Sequence, residues 1–372
     1  MMKMKRINRL ATAILLMTAV ASCAKYEDNL SFMKDAAISS PEGDGNGGSH
    51  AGILTAGEWN DLSNWEFWGK LLKREDVDKA HETWGFLTDY RIAIKVTDSD
   101  GNPVAGSQIE ATMGRKTVWT SVTDNHGTAN CWINLFDGKE PEDADIIIKV
   151  DGKEQKGSPV FSFAQDGEAK YNEYKVEKAP SVENSVDIAF IVDATGSMGD
   201  EIDFLKDDLE DIIGKAASPA VAIRTGAVFY RDEEDDYVTR TSAFTDDLSK
   251  TRKFIKAQEA EGGGDYPEAV HTALEASLQE LAWNSKAKSR IAFLILDAPA
   301  HDKVKVKESL HKSIQAYSDN GIILIPVAAS GADLSTEMML RFFAVATNGT
   351  YTFLTNDSGV GNEHLEPSIG EY

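Results

Sequence analysis

From Ser185 to Leu354 the chain alternates wholly apolar runs with amphipathic ones, and this alternation restricts its fold more than any other feature. SVDIAFIVD (185–193) holds a continuous apolar run from Ile188 to Val192, the pattern of a strand at the buried centre of a parallel sheet. Met198, Ile202, Leu205, Leu209 and Ile212 then recur at helical spacing with acids opposite. AVAIRTGAVFY (220–230), an acidic turn and YVTRTSAF (237–244) read as a hairpin, followed by a helix over 246–260. A helix from about 267 keeps Val270, Leu274, Leu278 and Leu281 in register. Next come strand 290–297, helix 303–319, strand 321–329, helix 333–346 and a last strand at 350–354. The sum is a doubly wound α/β domain, whose ligands sit beyond the carboxyl ends of the strands.

The half before it obeys a different period. Ile92, Ile94 and Val96 alternate with Arg91, Ala93 and Lys95, and further short strands are expected at 104–113, 117–124, 128–136, 144–151, 159–164 and 170–176. Strands of this length and spacing predict an antiparallel β-sandwich over 88–178. The run DSDGNPVAGSQIEAT and the later TSVTDNHGTANCWINL resemble carboxypeptidase-regulatory or Ig-like modules of bacterial surface proteins. Asp98, Asp100 and Asn102 imitate the start of a calcium loop. The glycine comes too early and no Glu falls at position twelve, so a plain turn is expected. Residues 53–87 hold Trp59, Trp65, Trp68 and Trp84, four of the seven tryptophans, and a helix through WEFWGKLLKRE is expected there. Such rings either stack on sugars or pack against a neighbouring sheet. Cys131 lies in an apolar strand and reads as a buried thiol.

Charge and the N-terminus narrow the function classes. The 38 basic residues face 61 acidic ones, a net charge of -23, which argues against nucleic-acid binding. Lys3, Lys5, Arg6 and Arg9 precede an apolar run from Leu10 to Ala21, an export signal too short to span a membrane. It ends in Val20-Ala21-Ser22-Cys23, which resembles the lipobox of bacterial lipoproteins. That resemblance implies cleavage after residue 22, a lipid on Cys23 and a place in the cell envelope, the outer membrane being the expected one. A Gly- and Ser-rich tether fills 23–52, EKAPSVEN (177–184) links the halves, and 361–372 form a tail.

The strand ends carry the chemistry. Asp193-Ala194-Thr195-Gly196-Ser197 sets a carboxylate and two hydroxyls at alternate positions, hard oxygen ligands for one side of a cation. Asp297 ends a second strand, adjacent in such a sheet. Over 184–360 the chain resembles a von Willebrand factor type A domain with its metal-ion-dependent adhesion site, Thr195 standing where that motif's first Ser does. The resemblance implies a Rossmann-like fold, a cation and a protein partner that offers a carboxylate to it. The family's further Thr is missing, and the loop Glu261-Gly262-Gly263-Gly264-Asp265-Tyr266-Pro267-Glu268 occupies its place. Asp265 is the expected substitute ligand. Asp265 with Glu268 also has capping-box spacing, so a helix cap is the other reading. A third carboxylate would make the cation less electrophilic and favour a neutral oxygen ligand or a stabilising role. The turn Arg231 to Asp236 should rim the same face, as a solvated turn or as a second cation site.

Mg²⁺ suits such a site, with Mn²⁺ or Ca²⁺ as substitutes, and zinc is disfavoured because nitrogen is limited to His301 and His271. The function expected is that of a membrane-tethered, non-enzymatic module that binds another protein through a cation. One alternative is glycan binding through the Trp-rich half. The other is a metal-dependent hydrolase with His301 as base, although the chain has no Gly-x-Ser-x-Gly elbow, His-Glu-x-x-His helix or phosphate loop.

Overall fold

The computed structural model describes residues 56–137, 139–141, 145–203, 205–206, 221–354 and 366–370. The export signal, Cys23 and most of the tether and tail lie outside these residues.

Seven strands form the main sheet in the spatial order β1-β14-β13-β12-β9-β10-β11. β9 (Glu183–Asp193) lies between β10 (Ala222–Tyr230) and β12 (Ala287–Leu296), parallel to both. β13 (Ile322–Ala328) and β14 (Tyr351–Leu354) continue the parallel order, while β11 (Thr239–Thr245) returns antiparallel on β10. The chain steps from β9 to β10 on one side and later reaches β12 on the other. The carboxyl ends of β9 and β12 therefore flank the point where strand order reverses, the usual ligand crevice of open α/β sheets.

β9 is buried on both faces, as its continuous apolar sequence requires. Val186, Ile188, Phe190 and Val192 join a core with Met198, Ile202, Phe229 and Ile255. Ala189 and Ile191 face the opposite core, formed with α4 (Val270–Gln279), α5 (Val304–Asp319) and α6 (Leu334–Ala346). α3 (Leu248–Lys256) follows β11 and carries Ile255 into the first core; Asp247 caps it by accepting from the Ser249 amide at 3.1 Å. These elements agree with the expected ones to within a few residues. The described part of the helix after the Asp193 loop is 199–203 and 205–206.

Residues before 177 differ more from expectation. β1 (Ala56–Trp59) pairs antiparallel with β14 and so extends the sheet of the second half. Two helices follow, α1 (Trp65–Leu71) and α2 (Glu75–Trp84), where one was expected. Two small sheets come next. β2 (Arg91–Thr97) lies between β5 (Thr128–Trp132) and β8 (Tyr171–Lys175). β3 (Gln108–Met113) lies between β4 (Lys116–Val122) and β6 (Ile146–Val150), and β7 (Lys153–Glu154) pairs with β6. β8 is parallel to β2, so the arrangement is not purely antiparallel. Residues 159–164 form no strand; Ser162 is held by one backbone bond to Arg91 O at 2.8 Å, ahead of a 3₁₀ turn. The Asp98 turn is closed by its own carboxylate, which accepts from the Asp100 and Asn102 amides at 2.9 Å.

The Trp-rich segment is packed. Trp65, Trp68 and Trp84 are buried, and their indole N–H groups donate to Ser162 O, Thr88 Oγ1 and Ser335 O at 2.8, 2.9 and 3.1 Å. Trp68 and Phe86 pack on Phe342 of α6, so the first half and the sheet share one apolar core. Inside it Arg341 binds both oxygens of Asp61, at 2.5 and 2.9 Å, and Glu337 at 3.0 Å. Ser368 closes this group from the C-terminal side, its carbonyl accepting from Arg341 at 2.5 Å and its amide donating to Glu337 at 2.9 Å. Cys131 is fully buried beside Ser121, and burial pushes its thiol up to about 12. Among the described residues no helix is long and apolar enough to cross a membrane.

Candidate metal centre

β9 ends at Asp193, opposite Tyr230 in the ladder, and the chain turns at once into a short 3₁₀ segment, Gly196–Met198. The turn folds on the aspartate itself. The Thr195 amide and hydroxyl donate to Asp193 Oδ1 at 2.8 and 2.7 Å, and Thr195 Oγ1 lies 3.5 Å from Ser197 Oγ. Asp193 and Thr195 are buried, while Ser197 is open to solvent. The Gly-rich loop clamps this turn from the other side: Gly196 N donates to Gly262 O at 3.1 Å and Glu261 N to Ala194 O at 3.0 Å. Gly262 and Gly263 have φ of 80° and 75°, backbone that favours glycine. A Cβ on Gly263 would stand 2.9 Å from Glu268 Oε1 and 3.1 Å from Thr195 Cβ, so that glycine lets two site residues approach.

Asp297 follows β12 and is buried; burial raises its pKa, and the Ser197 hydroxyl pulls the other way. Glu268 is the residue the sequence reading misplaced. α4 starts at Val270 with no side-chain cap, so the capping box does not form. Glu268 is instead extended, its amide donating to Pro299 O at 2.9 Å and its backbone bridging Ala300. This stitches it to the chain leaving β12 and buries its carboxyl group, 3% exposed, among acids. Burial first, then Asp193, Asp232, Asp235 and Asp297, push it up to about 9. Asp193 is pushed up to about 7 by burial and by Asp297, against the pull of Thr195. The Tyr230 phenol also draws Asp193 down, without meeting hydrogen-bond geometry.

Asp193, Thr195, Ser197 and Asp297 are thus brought together. Asp265 is exposed and groups elsewhere, with Asp232 and His301, within 4.8 Å of one another. One signal could have found Glu268: it sits on the same Gly-rich loop, which has to return to the carboxyl end of the sheet.

Asp193 Oδ2, Asp297 Oδ1 and Glu268 Oε2 are buried and have no hydrogen-bond partner. Unpaired buried carboxylate oxygens are costly unless a proton or a cation satisfies them. A donor set of carboxylates and hydroxyls, without sulfur, fits a hard divalent ion. Asp193, Thr195, Ser197, Asp297 and Glu268 would hold it. Bound there, the ion would supply positive charge and an open position for an outside oxygen.

Residues 187–339 match the family model for the von Willebrand factor A domain. This segment is such an A domain. The chain is 33% identical over 129 residues to an ariadne-like RING finger protein of Acanthamoeba polyphaga mimivirus, covering 35% of this chain and 12% of that protein. It is 27% identical over 160 residues to the collagen alpha-6(VI) chain of Homo sapiens, covering 40% of this chain and 6% of that one. It is 26% identical over 230 residues to the alpha-protein kinase vwkA of Dictyostelium discoideum, covering 56% of this chain and 35% of the kinase. The chain therefore spans only a minor part of each of these relatives.

Proposed function

We propose that this chain is a lipid-anchored protein of a bacterial cell envelope whose A domain holds a divalent cation and through it binds another protein. One observation carries the proposal: three buried carboxylate oxygens without a hydrogen-bond partner belong to acids that perturb one another, beside two hydroxyls at the switch point of the sheet. Mg²⁺ is the favoured ion, with Mn²⁺ or Ca²⁺ as substitutes. The match to the von Willebrand factor A domain model and the likeness over 160 residues to a collagen chain support an interaction or adhesion role. The buried Glu268 adds negative charge beside the ion, so a neutral oxygen from the partner, such as an amide or hydroxyl, binds there at a smaller Coulomb cost than a carboxylate. The anchor rests on the sequence ending in Cys23. The glycan alternative loses its rings, since Trp65 and Trp68 are spent on the core. No hydrolytic step is assigned, and the function proposed is binding rather than catalysis.

The test is thermal unfolding of the chain from residue 24 in EDTA and with excess Mg²⁺, Mn²⁺ or Ca²⁺, beside Asp193→Ala. A cation at ~100 times its dissociation constant adds ~2.7 kcal/mol, a rise of roughly 5 °C or more at this size. A rise in the wild type that is lost in Asp193→Ala is expected. No rise with any ion would remove the cation from the function. Separately, palmitate labelling in cells should be lost in Cys23→Ala.

A further inference from the structure

Beside the Asp193 centre the fold builds a second cluster, and this one contains nitrogen. His301 Nε2 lies 2.8 Å from Asp232 Oδ1, and one ligand atom from each of Asp232, Asp265 and His301 lies within 4.8 Å of the others. His301 and Asp232 are 8% and 7% exposed, whereas Asp265 lies on the solvent side. Three separate pieces of chain meet here: the β10–β11 hairpin, the Gly-rich loop and the segment leaving β12. They are braced before any ligand arrives. Asp235 Oδ2 accepts from the Asp232 amide at 3.1 Å and from the Gly263 amide at 3.0 Å, tying hairpin to loop. The His301 carbonyl accepts from the Lys303 amide at 2.9 Å.

A second observation points to a ligand. Glu268 Oε2 is buried and unpartnered, and its carboxyl group interacts electrostatically with Asp193 and Asp297 on one side and with Asp232 and Asp235 on the other. One divalent charge at the Asp193 centre leaves this set of acids strongly negative. A second positive charge on the Asp232 side would offset the remainder.

We propose that Asp232, Asp265 and His301 form a second cation site adjoining the Asp193 centre, selective for a transition-metal ion such as Zn²⁺ over Mg²⁺, with Glu268 between the two. Imidazole with carboxylates suits zinc and its neighbours, while Mg²⁺ prefers oxygen alone. Two ligands bonded tetrahedrally to one such ion at about 2.0–2.2 Å stand about 3.3–3.6 Å apart, so His301 and Asp232 at 2.8 Å need open by only about half an ångström. In the metal-free protein a hydrogen bond joins that pair, and the ion would take its place between them. The second site uses no atom of Asp193, so it can fail while the first stands, and the reverse.

The experiment uses the full mature chain, stripped with EDTA and then held in excess Mg²⁺ to fill the oxygen centre. Zn²⁺ is titrated by calorimetry, and Co²⁺ by its visible absorption, which reports nitrogen ligation. One Zn²⁺ per chain should bind above the Mg²⁺ background. His301→Ala and Asp265→Asn should each weaken it by about tenfold or more, and Asp193→Asn should leave it unchanged. Asp265 is exposed, so its variant keeps the fold, as circular dichroism will show, even where His301→Ala does not. The proposal is overturned if no Zn²⁺ binds in excess Mg²⁺, if Asp265→Asn binds as tightly as wild type, or if Asp193→Asn alone abolishes binding.

Discussion

Replacing Glu268 by Gln should stabilise the protein without metal and destabilise it with metal. The carboxyl group is pushed up to about 9 by burial and by Asp193, Asp232, Asp235 and Asp297. At pH 7 it is protonated in the folded chain and ionised in the unfolded one, whose pKa is near ~4.3. The mismatch at pH 7 is about 2.7 units, or ~4 kcal/mol at most, working against the fold. Gln keeps the shape, cannot ionise in either state, and offers its N–H groups to acids that lack partners. In EDTA at pH 7, Glu268→Gln should therefore unfold roughly 5 °C or more above the wild type. The sign of the pH dependence follows: the folded acid holds its proton up to about 9, the unfolded one only to about 4. The wild type thus loses stability relative to the variant as pH climbs between these values. Excess Mg²⁺ reverses the order, because the wild type gains a charged ligand that Gln does not supply. Differential scanning fluorimetry from pH 5 to 9, with and without chelator, reads all of this. A variant less stable than wild type in EDTA across that range would refute the reasoning, and Glu268 would then be a structural residue.

Gly263→Ala should cost about 1–2 kcal/mol from its positive φ and weaken the cation, since the new methyl meets Glu268 and Thr195; Mg²⁺ titration and unfolding check both. Asp61→Ala leaves Arg341 buried beside Glu337 alone and should cost about 3–5 kcal/mol, measured by urea unfolding, with cation affinity unchanged. Trp68→Ala should cost about 3–5 kcal/mol; a fully folded variant that loses only sugar binding would restore the glycan reading. Cys131 should stay unmodified by a thiol reagent at pH 8 until denaturant is added, because burial holds its thiol up at about 12.

What the sequence made legible was what its local pattern encodes. The apolar runs gave the strands of the main sheet, and alternate oxygens at one strand end, with Asp297 at its neighbour's, located the centre. Asp265 and Glu268 were harder, because spacing alone cannot separate a capping box from an extended segment with a buried acid. The bond from the Glu268 amide to Pro299 O settles it, and it joins residues far apart in sequence. The same holds for β1, whose partner β14 lies at the other end of the chain, and for β8, whose parallel pairing no hairpin turn announces. Tryptophan spacing pointed to a helix but not to the phenylalanines of α6 that cover it.

The placement of β1 also decides how the molecule carries load. Ala56 pairs with Leu354 and Trp59 with Tyr351, so the chain enters the sheet at the carboxyl end of β14, on the edge that also bears Asp193 and Asp297. A pull on the segment before Ala56, resisted by a partner at the metal centre, acts on β1 from its open end. Its bonds then break in succession, like a zip, rather than together in shear. Soon after the strand ends, that peeling reaches the two-pronged grip of Arg341 on Asp61, sealed in the core, and this buried ion pair is the catch that halts it.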